Sequence, residues 1–118
     1  MIKSFGYALR GIILGFKGRN FKIHLGITVL VLAAAIWLKI STGEWLIVLI
    51  LIGAVLMAEL FNSSIEELAN VVRDSSKLDW GATKSVRDLA AGAVLIMAIV
   101  AAIIGLIIFV PKIMKFHI

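Results

Sequence analysis

The chain has 118 residues, 62% of them hydrophobic, with one proline and a mean hydropathy of +1.10; a soluble domain has about 45 to 50% apolar residues, so a water-soluble globule is excluded and a small all-α membrane protein is expected. The absence of cysteine rules out disulfides and thiolate metal sites. A net charge of +5 in so apolar a chain speaks to membrane topology and anionic headgroups, and no nucleic-acid partner is expected.

Residues 1–22 form the first predicted element. Ile2, Phe5, Leu9, Ile12, Ile13 and Phe16 recur at three- and four-residue spacing, and Lys3, Arg10 and Lys17 at every seventh position, which gives a helix one apolar and one basic stripe. Such a helix lies in the membrane surface, either as an anchor held by anionic lipid or as a wall of a site at the interface. Its scattered charges leave no compact apolar segment before a small-residue cleavage site, so no cleavable signal peptide is expected.

The first span, 23–40, is interrupted only by His24 and Lys39 near its ends. His24 reads there as an interfacial hydrogen bonder rather than a ligand. The link STGE is too short for a domain. The second span, 45–70, begins at Trp45, is apolar without interruption through Ala58, and continues as AELFNSSIEELAN. After the connector comes the third, 84–110, in which the 22 residues from Leu89 to Val110 carry no charge, against roughly 20 needed to cross a bilayer core. Trp45 and Trp80 read as interfacial anchors, and Gly92, Ala93 and Ala98 as close-packing positions between helices. With no internal repeat, the whole chain, 1–118, reads as one membrane-embedded domain.

Basic residues set the orientation. Nine of them flank one side (Lys3, Arg10, Lys17, Arg19, Lys22, Arg73, Lys77, Lys84 and Arg87) and three the other (Lys39, Lys112 and Lys115), which places the N-terminus and the second connector in the cytoplasm of a multi-pass protein.

The second span carries the chemistry. At about 100° per residue Glu59, Asn62 and Glu66 share one face, with Ser63 and Asn70 beside them. Counted from Trp45, Glu59 lies about 21 Å along the helix and Glu66 about 31 Å, so the stripe starts inside a core of roughly 30 Å and emerges where headgroups meet water. An ionisable group in hydrocarbon costs about 2.5 kcal/mol or more and usually serves a function; the plainer alternative is that Glu59 and Asn62 only bind helices together. Glu59 has the depth of a proton acceptor for a hydroxyl presented from the lipid. Glu66, at the mouth, suits Mg²⁺, which commonly bridges one or two carboxylates to nucleotide phosphates. Lys84 and Arg87 supply cations for phosphate where the third span enters.

AELFNSSIEEL, followed about twenty residues later by RDLAAGAVLI, together with RNFKIHL before the first span and GYALRG near the start, resembles the prokaryotic diacylglycerol kinase and undecaprenol kinase family over most of the chain. The resemblance implies a three-span homotrimer with an N-terminal surface helix, in the bacterial inner (cytoplasmic) membrane, that transfers the γ-phosphoryl group of Mg²⁺-bound ATP to a lipid alcohol, undecaprenol or diacylglycerol. RNFKIHL is closer to the undecaprenol kinase branch. Carried onto this chain, it implies Glu59 as catalytic base, Asn62 and Ser63 beside the lipid substrate, Glu66 as metal and nucleotide ligand, and Tyr7, Arg87 and Asp88 at the nucleotide.

Three positions depart from the family pattern. Gly18, or a one-residue deletion, stands where a second metal-binding glutamate is usual, Arg87 where a lysine is, and Asn70 where an aspartate is. The connector is also a few residues longer. Other classes remain: a diverged, non-catalytic lipid-binding subunit, or a proton-coupled transporter built on Glu59. Small multidrug exporters, however, have four spans with the acid in the first. No Walker-type glycine loop is present.

Overall fold

The computed structural model describes residues 2–77 and 79–117, without the side chains of Trp80, Phe116 and His117; the anchoring expected of Trp80 lies outside the described residues. Four helices follow in order: α1 (Ile2–Gly15), α2 (Arg19–Trp37), α3 (Thr42–Ser75) and α4 (Lys84–His117), the last preceded by a short 3₁₀ turn at Trp80–Thr83. Helices α2, α3 and α4 are each long and apolar enough to cross a membrane. At 34 residues, α3 and α4 are about 51 Å long, so each overshoots a core of roughly 30 Å.

The single surface helix expected over 1–22 is shorter. It ends at Gly15, and Arg19 and Lys22 belong to the first turns of α2. The break has a packing cause. Gly15 is buried, and a Cβ there would stand 2.3 Å from the Leu60 side chain on α3, so α1 meets α3 at a point only glycine allows without displacing Leu60. The chain then turns through Phe16–Gly18, and the Phe16 and Phe21 rings meet edge to face, 5.5 Å apart.

At the opposite end α2 closes in a Schellman arrangement. Ile40 N–H donates to the Ala35 carbonyl and Lys39 N–H to that of Ile36, with Lys39 left-handed at φ 53°. Ile40 folds back onto Ala35, and the two join Val48 and Ile108 in the hydrophobic core, where half-buried Trp45 also packs. Ser41 then starts α3 with a capping box: its hydroxyl accepts from Glu44 N–H and its own N–H donates to the Glu44 carboxylate. Lys112 Nζ reaches the same carboxylate at 2.9 Å, tying the start of α3 to the end of α4. The third span expected to end at Val110 continues as helix through Pro111. Ser41→Ala is expected to cost about 1 kcal/mol, read as an earlier midpoint in denaturant titration of detergent-solubilised protein; an unchanged midpoint removes the cap from the account.

Most large apolar side chains on α3 and α4 face outward, as a helix surrounded by lipid or by further helices requires.

Candidate active site at the α1 end of the bundle

Far from that core, α3 carries its polar stripe between the other helices. Glu59 is the most deeply buried large side chain described, 2% exposed, and Asn62 is buried at 6%. Glu66, one turn further along, is exposed, and its Oε1 accepts from Asn62 Nδ2 at 3.4 Å. Two acceptors on this row, Glu59 Oε2 and Asn62 Oδ1, are buried without a hydrogen-bond partner. Leaving such an oxygen unsatisfied costs about 1 to 3 kcal/mol, and it is the kind of exception that marks a binding site.

His24 Nε2 on α2 lies 3.6 Å from Glu59 Oε2. From its position in the sequence His24 is expected to be an interfacial hydrogen bonder, with no part in the site. A contact across 35 positions leaves no trace in helical periodicity; the RNFKIHL motif was the available signal.

Arg87 is also buried. Its Nη2 donates to Asn70 Oδ1 at 2.7 Å and its Nε to Thr83 Oγ1 at 3.0 Å. Asn70 and Arg87, expected from the resemblance to depart from the family pattern, touch each other, and the pair fixes a guanidinium one turn beyond Glu66 while holding the 3₁₀ turn against α3. Asp88 points elsewhere: it is exposed and pairs with Lys84 one turn back on α4. Tyr7 is not brought to this row either. Tyr7 is 63% exposed, and the Arg10 guanidinium lies over its ring at 5.8 Å. Ser63 lines a cleft of about 460 Å³ between α1 and α3, shared with Gly11, Gly15, Gly18, Leu60 and Glu67. Ser63 sits one turn from Glu59, and Glu59, Asn62 and Glu66 themselves do not line the cleft.

Gly18 faces the same place, since a Cβ there would lie 4.0 Å from Ser63 Oγ. Among the described residues no group of three or more His, Cys, Asp or Glu side chains is arranged to hold a metal ion. The donors that are present, the Glu66 carboxylate and the unpartnered Asn62 Oδ1, are hard oxygens. They fit a magnesium ion that keeps several waters and takes its other ligands from phosphate.

The family description of prokaryotic diacylglycerol kinase matches residues 6–109. The chain belongs to the prokaryotic diacylglycerol kinase family. It is 38% identical to the undecaprenol kinase of Bacillus subtilis (strain 168) over 111 residues, covering 93% of this chain and 88% of that protein. It is 31% identical to the diacylglycerol kinase of Synechocystis sp. over 116 residues, covering 98% of this chain and 65% of the relative. No solved structure matches the chain. As a prokaryotic diacylglycerol kinase family member with three helices able to span a bilayer, this membrane protein is a lipid kinase.

Proposed function

We propose that this lipid kinase transfers the γ-phosphoryl group of ATP to the hydroxyl of a membrane lipid alcohol, undecaprenol or diacylglycerol, at the cytoplasmic face of the bacterial inner membrane. The observation that carries this reading is the pair of buried, unpartnered acceptor oxygens on Glu59 and Asn62, set beside a cleft that opens between the surface helix and α3. A hydroxyl donor from the lipid would satisfy one of them, which a purely structural pair has no need of. The nine-to-three distribution of basic residues supports the orientation, with the N-terminus inside.

In this mechanism Glu59 accepts the proton as the lipid oxygen forms its new bond to phosphorus and the bond to the leaving nucleoside diphosphate breaks in line. Asn62 and Ser63 orient the lipid headgroup. Glu66, with Asn62 Oδ1, would hold magnesium, which supplies charge neutralisation on the phosphates. Arg87, locked by Asn70 and Thr83, contributes a fixed positive charge beside them. Asp88 and Tyr7 are read as outer contacts to the nucleotide. A homotrimer is part of the proposal, supported by the outward apolar faces of α3 and α4 and by an acid row on which Glu66 is the exposed carboxylate.

The test is direct. Purified protein with Mg²⁺ and radiolabelled ATP should give a phosphorylated product from one of the two lipid alcohols. No transfer to either, in protein shown to be folded, overturns the reading.

A further inference from the structure

A base that accepts a proton at every turnover must also lose it before the next one. The surroundings of Glu59 leave few exits, since only 2% of its surface is exposed. On α3 the positions one turn away, Val55 and Ser63, carry no titratable group, and Glu66 lies two turns off beyond Asn62. Helix α4, which packs along α3, has none between Asp88 and Lys112. On α1 the titratable side chains Lys3, Tyr7 and Arg10 are all exposed. From α2 there is His24, with Nε2 3.6 Å from Glu59 Oε2 and a side chain 20% exposed. It sits five residues into α2, about 7.5 Å along the axis from Arg19 and the interface.

We propose that His24 is the proton relay of Glu59. The idea rests on Glu59 being the base. After transfer the proton is bonded to Oε2. The Nε2 lone pair of neutral His24 takes it, leaving the carboxylate ionised; the imidazolium releases its Nδ1 proton to interfacial water, and exchange of the ring protons with that water restores the Nε2 lone pair before the next turnover. Histidine suits the step because each ring nitrogen can carry the proton in turn. A closing of about 0.5 Å brings the two atoms from 3.6 Å into hydrogen-bond range. Acting through Glu59 and touching no substrate, His24 is a positioning residue rather than a catalytic one.

The relay separates the first turnover from those that follow. In quenched-flow measurements with Mg²⁺, labelled ATP and lipid alcohol, His24→Ala and the bulkier His24→Gln are expected to complete a first transfer within about twofold of the parent rate. The steady-state rate should then drop by about 100-fold, within the range usual for proton-transfer groups. The KM for ATP should not move, and added imidazole should restore the slow phase of His24→Ala. A merely structural histidine gives a different result, with first and later turnovers falling together and no rescue; that result, or an unaltered steady state, overturns the relay. If His24→Ala does not fold, His24→Gln carries the same burst test. A parent protein that transfers nothing in the same experiment overturns the kinase mechanism itself and the relay with it, whereas a parent burst and steady state with unaffected variants overturns the relay alone.

Discussion

Glu59→Gln is expected to abolish lipid phosphorylation while leaving the protein folded. The glutamine keeps the volume of a side chain that is 2% exposed, so no cavity opens. Glu59 Oε2 has no hydrogen-bond partner to lose, and a neutral amide is cheaper to keep in a membrane helix than an ionisable acid, so the fold is not weakened. What it cannot do is accept a proton. The loss of a positioned base lowers rates by about 10² to 10⁴, and because the lipid hydroxyl is a poor nucleophile until deprotonated, the upper part of that range is expected. Turnover measured beside a denaturant midpoint separates the two effects. Full activity in a folded variant eliminates Glu59 as the base, and inactivity with a collapsed midpoint assigns it to structure instead.

Much of this architecture is written in the chain. Three apolar runs of spanning length are enough to give an all-α membrane protein, and the 3.6-residue period alone puts Glu59, Asn62 and Glu66 on one face of α3. What periodicity does not carry is where helices stop for tertiary reasons. The end of α1 depends on Gly15 meeting Leu60, a contact between residues 45 positions apart, and the apolar and basic stripes of 1–22 run straight through it. Proline at 111 is a local stop signal, yet α4 continues beyond it with Lys112 held by Glu44. The same limit applies to the site. Asn70 and Arg87 are expected from the resemblance to be two separate departures from the family pattern, and they form one hydrogen-bonded pair in space. A planar guanidinium donates from two nitrogens at once where an ammonium could not span the same partners so rigidly, so an amide acceptor at position 70 is matched to arginine at 87. His24 and Glu59 meet in the same way, across two helices, and helical periodicity at neither position announces it.

Magnesium dependence should follow Glu66. The side chain is exposed at the mouth of the row and its Oε1 already accepts from Asn62, so it is held in place to offer its remaining lone pairs outward. Glu66→Gln keeps the shape and part of the hydrogen bonding but removes the exposed charged oxygen donor that shares a face with Glu59 and Asn62. Groups that only orient a ligand cost about 10- to 100-fold in metal affinity when lost, and a direct ligand should cost at least as much. The magnesium concentration for half-maximal rate is therefore expected to rise by at least about tenfold, with the rate at saturating metal largely recovered. The converse change is Gly18→Glu. A side chain at 18 starts beside Ser63 on the same side of α3, so a second carboxylate there should lower the magnesium requirement of the parent and partly rescue Glu66→Gln. A metal dependence that is unchanged in Glu66→Gln removes Glu66 from the ligand set, and a Gly18→Glu variant that needs as much magnesium as before shows that the cleft between α1 and α3 is not where the ion sits.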